Sequence, residues 1–294
     1  MSTRTLPQPR ASDIQRAKSV LSLFYRSRKT PFHYRQIQVL LEAEFYHITI
    51  TQAIYSLIDD GILDTLPFPA GANNVTFVFP SQLSTTPYKD TLLSHIRAKA
   101  KIISLYDNPE VSKILGDHFE SLVKYELRAN GLNLVGTNTN QYKSRQWSGS
   151  RANLDVIAEH QDGRAFGIQA KNELKPIQRN ELLLQLSICN YLGLIPIFIV
   201  RYMPWSFLPD ITAQNGFLLT LGTQLYPLGF NRLCQQIRAK LSLPESHVAQ
   251  KLRQLAPKMR TAWPIEVMTE IPADASERLS IWLRTGRLPQ RSVN

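Results

Sequence analysis

Residues 153–173, NLDVIAEHQDGRAFGIQAKNE, decide how the rest of the chain is read. Two short β-rich runs, 154–158 and 165–170, flank Gln161-Asp162-Gly163. An Asp-Gly between such runs is a strong hairpin signal. Side chains alternate between faces along a strand. Asn153 and Asp155 therefore share a face of the first strand, and Gln169, Lys171 and Glu173 a face of the second, with Ile168 and Ala170 opposite. Hydrophobic packing does not ask for Asp, Gln and Lys on common faces. A carboxylate to hold a divalent ion, a nearby oxygen ligand and a cation to orient water are what metal-assisted phosphodiester hydrolysis uses.

Asp155 followed by Gln169-Ala170-Lys171 resembles the PD-(D/E)XK nuclease superfamily, and its Gln-x-Lys form is similar to Mrr-type restriction endonucleases. That signature includes a helix glutamate in the form G-x-x-[FY]-E-x-x-[AV], matched by Gly116-Asp117-His118-Phe119-Glu120-Ser121-Leu122-Val123. The similarity spans about residues 108–202. It implies an α/β, restriction-endonuclease-like mixed sheet flanked by helices, and a metal-dependent DNA endonuclease. Asp155 would be the central ligand of Mg2+ or Mn2+, with the Ala170 backbone carbonyl as a second and Glu120 bound directly or through water. Gln169 stands where an acidic residue is commoner, and Lys171 would orient water and stabilise developing charge. Gln185 on the following helix and Glu173 would support the site. Double-stranded DNA is the implied substrate and a homodimer the implied assembly. A neutral amide at 169 lowers the site's charge, so a non-catalytic DNA-binding or regulatory protein on a degenerate nuclease fold stays open. A DNA-junction resolvase is the second enzymatic option.

Upstream, residues 1–11 read as a flexible polar arm. Ile14, Ala17, Val20, Leu21, Phe24 and Tyr25 then recur at helical spacing. Thr30-Pro31 is expected to open a second helix, and Thr49 or Thr51 to cap a third that Gly61 stops. Apolar runs 62–68 and 75–79 follow around a turn-rich 69–74. Three helices and a hairpin spell a winged helix-turn-helix over 12–80. A small protein-binding helical bundle is the alternative. In the winged-helix reading Thr49, Thr51, Gln52 and Tyr55 face the DNA groove, and Arg28, Lys29 and Arg35 contact phosphates. Asp59 and Asp60 would repel them.

Residues 81–90 are the expected linker and 91–241 the nuclease-like domain. Its first helix, 91–106, is expected to carry His95, Arg97, Lys99 and Lys101 on one basic face. A long polar loop, 136–152, interleaves Lys143, Arg145 and Arg151 with Tyr142 and Trp147, which suits substrate contact. The run IPIFIV at 195–200 reads as a strand buried on both faces. Residues 242–294 read as a basic helical extension, either a phosphate-tracking surface or a solvated or dimer-facing appendage.

Net charge is +11, divided as +2 over 1–90, +3 over 91–175 and +6 over 176–294. Such a balance favours a polyanionic partner through counterion release. Cys189 and Cys234 have no metal-ligand spacing and read as buried reduced thiols. The first residues lack a signal-peptide core and no run approaches a membrane span, so a cytoplasmic location away from membranes is expected. No Gly-rich phosphate loop, His-x-x-x-His pair or nucleophile elbow occurs, which removes ATPase, zinc protease and esterase readings.

Overall fold

The computed structural model describes residues 9–26, 30–85, 87–241, 247–259 and 263–287. Arg28 and Lys29, expected on phosphates, and most of the N-terminal arm lie outside them. The chain forms two compact units, Met1–Ser112 with Phe230–Ile265, and Lys113–Gly229 with Glu266–Asn294.

The first unit begins with helix α1 (Ala11–Arg26), whose Ala17, Val20, Leu21, Phe24 and Tyr25 are buried as their spacing predicts. Thr30-Pro31 does not open a helix. Phe32–His33 forms a short strand, β1, paired antiparallel with Val78 and Phe77. Helices α2 (Tyr34–Leu41) and α3 (His47–Asp59) follow, then β2 (Leu63–Ala70) and β3 (Asn73–Pro80). The last two pair from Leu63↔Pro80 to Ala70↔Asn73 across a two-residue turn, with Gly71 at φ +67°. The three strands make a sheet in the order β1-β3-β2.

Helix α4 (Lys89–Tyr106) belongs with this unit. Its Lys99 is not on an exposed basic face. The residue is buried, its Nζ donates to the Pro31 carbonyl at 2.5 Å, and it lies 4.3 Å from the Phe32 ring centroid. A carbonyl and an aromatic face replace the water that a lysine head normally keeps. Two later helices, Asn231–Leu241 and His247–Leu255, return to the same unit. Leu252, Ala256 and Met259 join the core built by α1, α2 and α3.

The second unit is built on a five-stranded mixed sheet. Helix α5 (Pro109–Ala129) leads into β4 (Leu132–Thr139). A small ladder of β5 (Gln141–Tyr142) and β6 (Arg145–Gln146) precedes β7 (Leu154–His160) and β8 (Ala165–Lys171). Helix α6 (Arg179–Leu192), β9 (Ile195–Val200) and β10 (Phe217–Thr220) complete it. The order is β10-β9-β8-β7-β4, with β4, β7 and β8 antiparallel and β8, β9 and β10 parallel. Gly163, at φ +88°, closes the β7–β8 turn, where Gly163 N donates to the His160 carbonyl at 2.9 Å.

Each face of the sheet carries a core. On one, Val156, Ala158, Phe166, Ile168, Ile197 and Ile199 pack with Phe119 and Val123 of α5. Leu279 and Trp282, from the helix Ala273–Thr285, join them, and Trp282 stacks on Phe217 with ring centroids 4.8 Å apart. The end of the expected basic extension is therefore part of this core. On the other face α6 covers the sheet, with Leu182 and Leu186 against Phe198 and Val200. Strand β9 thus buries both sides, as its unbroken apolar run predicts. A Cβ at Gly167 would come within 2.6 Å of Cys189 Sγ, so glycine is what lets α6 lie this close to β8. Cys189 and Cys234 are buried free thiols whose pKa values burial pushes up to about 12 and about 11.

Candidate functional site

Pairing between β7 and β8 ends at Val156↔Ile168. Asp155 and Ala170 lie just past that last rung, where the two strands part. The Ala170 N–H donates to Asp155 Oδ2 at 2.7 Å. The Gln169 side-chain amide also hydrogen-bonds Asp155, and the charge of Glu120, from α5, bears on the same carboxylate. Burial is the largest influence on Asp155, raising its pKa. The Ala170 N–H and the Gln169 bond oppose it, Glu120 reinforces it, and the net result is a carboxyl pushed up to about 6. Asp155, Glu120, Gln169 and Ala170, four residues singled out from sequence, are therefore one neighbourhood. Ile168 and Ala170 pack toward the α5 face, as the alternation predicts.

Lys171 ends β8. Its Nζ donates to Glu181 Oε1 at 2.5 Å and lies 4.0 Å from Glu173 Oε1. Glu173 falls beyond the strand and is exposed, so it meets Lys171 from the following turn rather than from a shared strand face. That turn is held firmly. Buried Arg201 donates to the Glu173 carbonyl at 2.9 Å and the Leu174 carbonyl at 3.0 Å. The Asn172 amide bonds Leu225 in both directions, to its carbonyl at 2.6 Å and from its N–H at 2.8 Å. Gln185, on α6, donates to the Asn153 carbonyl at 3.3 Å.

Two features are suited to a cation. Gln169 Oε1 and Gln185 Oε1 are buried without a hydrogen-bond partner, and an unmet buried acceptor is costly. A hard divalent ion favours oxygen ligands of this kind, both carboxylate and amide. Among the described residues no group of three or more His, Cys, Asp or Glu side chains is placed to hold a metal. Asp155 and Glu120 with amide and backbone oxygens are the donor set that fits.

Glu181 and Lys124 are neighbours of the site that residue pattern does not single out. Glu181 lies four residues before Gln185 on one face of α6, which is the signal that could have found it. Lys124, one turn after Glu120, donates to Glu120 Oε2 at 3.0 Å.

The expected DNA contacts fare differently. Lys143 lies 3.7 Å from Glu159 Oε1, and the neighbouring Tyr142 hydroxyl donates to that oxygen at 2.7 Å. Glu159 is four residues along β7 from Asp155, roughly 13 Å at the usual strand rise. Arg145 donates to the Tyr191 carbonyl at 3.2 Å, while Arg151 is exposed. The 136–152 segment is therefore folded onto β7 and α6, and its first residues extend β4.

In the first unit Thr49 is buried and cannot face a groove. The Thr51 hydroxyl donates to the His47 carbonyl at 2.9 Å and accepts from Gln38 at 3.2 Å, capping nothing. Helix α3 starts instead at His47. Gln52 and Arg35 are half-buried and engaged with other residues, and Tyr55 is 58 % exposed. Among the described residues no helix is long and apolar enough to cross a membrane. No protein-family model, curated protein or solved structure matches the chain.

Proposed function

We propose that the chain is a metal-dependent DNA endonuclease, with a restriction-endonuclease-like core in the second unit and a winged-helix module in the first. The order α5, antiparallel β4-β7-β8, α6 and parallel β9 supports the first assignment. Helix, short strand, two helices and a hairpin closing a three-stranded sheet support the other. The observation that carries the reading is the cluster where β7 and β8 part. Asp155 is bonded to Ala170 N–H and Gln169 beside the charge of Glu120, two amide oxygens are unmet, and Lys171 is one residue away.

Asp155 and Glu120 would hold Mg2+ or Mn2+, with Gln169 Oε1 and the Ala170 carbonyl as neutral donors. Such an ion supplies Lewis acidity toward a phosphodiester. The Ala170 N–H fixes Asp155 Oδ2, and the Gln169 amide holds the same carboxylate. The Lys171 ammonium orients the attacking water and offsets negative charge growing on the phosphoryl oxygens. For that it must exchange the Glu181 carboxylate for the substrate. Arg201 and Asn172 hold the turn after Lys171, so the exchange moves a side chain and not the strand.

A non-catalytic DNA-binding protein is the second reading, favoured by the neutral Gln169 and by a Lys171 already paired with carboxylates. Calorimetry with Mg2+ or Mn2+, together with cleavage of duplex DNA, separates the two. Wild type is expected to bind metal and cut. Asp155→Ala should lose both, whereas Lys171→Ala should retain the metal and lose cutting. Absence of metal binding and cleavage in wild type would give the second reading.

A further inference from the structure

In the first unit the charges are separated by element. From His47 to Pro80, through α3, β2 and β3, the chain carries Asp59, Asp60 and Asp64 and no lysine or arginine. Asp59 and Asp60 are exposed, and Lys18 meets Asp60 at 2.8 Å. Helix α4 carries Lys89, Arg97, Lys99 and Lys101 against one acidic residue, Asp90, in its first turn. Lys99 is turned inward, while Arg97 and Lys101, one turn apart, are exposed.

The helix Asn231–Leu241 packs beside α4 and buries Cys234, Ile237 and Leu241. It exposes Arg232 and Lys240. The segment after it buries Leu252, Ala256 and Met259 in the core and exposes Lys251 and Lys258. Residues 230–259 carry six lysines and arginines against one acidic residue, Glu245. The apolar sides of these elements are spent on the fold, which leaves the cationic sides facing outward.

We infer that duplex DNA lies along α4 and the helix Asn231–Leu241 packed beside it, and not along α3 and the β2–β3 hairpin. This rests on the endonuclease reading and names the surface that holds its substrate. A duplex approaching α3 meets aspartates, whereas one approaching α4 releases counterions with each phosphate neutralised. The centre of a protein interface is depleted of lysine, while a phosphate backbone is bound by dispersed lysines and arginines. Contacts of this kind set position and affinity but carry no base sequence. The surface therefore binds DNA of any sequence.

The test is fluorescence anisotropy of a labelled mixed-sequence duplex across a salt series, with full-length protein whose folding is checked by circular dichroism. One variant combines Arg97→Gln, Lys101→Gln, Arg232→Gln and Lys240→Gln, and the other combines Gln52→Ala and Tyr55→Ala. Each phosphate contact contributes about 0.9 to the slope of log affinity against log salt, so the first variant should flatten that slope by roughly 3–4. Its affinity at low salt should fall by at least about 100-fold, and the second variant should stay within about twofold of wild type. The reverse pattern, with α3 needed and the cations dispensable, overturns this surface and leaves the endonuclease reading standing. Wild type that binds no duplex overturns both. Displacement of the duplex by polyglutamate at equal charge concentration would assign the surface to an acidic protein instead.

Discussion

Asp155 and Asp162 lie at opposite ends of one hairpin and could hardly be treated more differently. Asp162, in the turn, is exposed and met locally. It accepts from Arg164 Nε at 2.8 Å and Arg164 N at 3.1 Å, and His160 Nδ1 lies 2.9 Å away. The Arg164 guanidinium holds its carboxyl well below the ordinary carboxylate range, with help from the backbone N–H and His160. Asp155, where the strands part, is half-buried beside another carboxylate, and its pKa rises to about 6. A turn aspartate satisfied within two residues fixes a loop. A buried one left short of positive charge costs stability, which is the usual mark of a working group.

The largest effects should separate the two ends by function. Asp155→Ala should remove metal binding and reduce duplex cleavage by at least about 1000-fold, the upper range for losing one key transition-state contact. Asp162→Ala should leave cleavage within about twofold of wild type, because nothing at the turn belongs to the site. Single-turnover cleavage of the same duplex by both variants makes the comparison. Equal losses would place the chemistry elsewhere.

Next in size is Gln169→Glu. One more carboxylate beside Asp155 should tighten Mg2+ binding by roughly tenfold, since ligand charge tunes affinity for hard cations. Cleavage should rise with it or hold steady. If the introduced carboxylate captures the Lys171 ammonium in place of Glu181, binding tightens while cleavage falls. Calorimetry and rate measurements on one preparation distinguish these outcomes.

A stability effect comes third. An aspartate whose folded pKa of about 6 exceeds its ordinary value of 3.8 favours the fold while protonated. That contribution is present below 3.8, is lost as pH rises toward 6, and stays lost above it. Asp155→Asn, which still accepts from Ala170 N–H, should therefore stabilise the metal-free protein at neutral pH by roughly 1–3 kcal/mol. The gain should vanish once the pH falls below the ordinary aspartate value of about 3.9. Thermal unfolding in chelator across that range reads it directly, and destabilisation at neutral pH would count against the strained carboxylate.

How much of this could be read in advance differs by element. The Asp-Gly turn and the two-residue period define β7 and β8, and with them the relation of Asp155, Gln169 and Lys171. The burial of β9 follows from its composition. Thr49 misleads although it stands four residues before Ala53 and eight before Leu57, on the stripe that α3 buries. Its hydroxyl makes it look like a cap or a contact. Pairing of β1 with β3 displaces the start expected at Thr30-Pro31, and no local signal encodes a ladder formed between strands so far apart in the chain. The same holds for Leu252, Ala256 and Met259. Leu252 lies on a helix, His247–Leu255, and Ala256 and Met259 just after it, but their partner, α1, lies near the other end of the chain. Lys143 and Arg145 show the limit of residue type as a guide, since a cation in a polar loop reads alike whether it meets phosphate or Glu159.

The smallest effect belongs to Asp162→Asn, and its sign should oppose that of Asp155→Asn. A carboxyl depressed in the folded state contributes stability above its unfolded pKa and loses it as pH falls below that value. At neutral pH the substitution should lower the unfolding temperature slightly, because the new amide can still accept from Arg164 N–H but no longer pairs with the guanidinium. The pair is exposed, so solvent and salt screen it, and high salt should shrink the difference further. Arg164 also donates to the Leu283 carbonyl at 2.5 Å, and that bond keeps the guanidinium placed when its carboxylate partner is gone. Arg164→Gln should accordingly cost more than Asp162→Asn, since it frees the helix Ala273–Thr285 from the hairpin as well. Thermal unfolding at neutral pH, with and without high salt, ranks the two. An Asp162→Asn loss as large as that of Arg164→Gln, insensitive to salt, would mean that the turn carboxylate holds the fold and that the contrast between the two ends of the hairpin is one of degree.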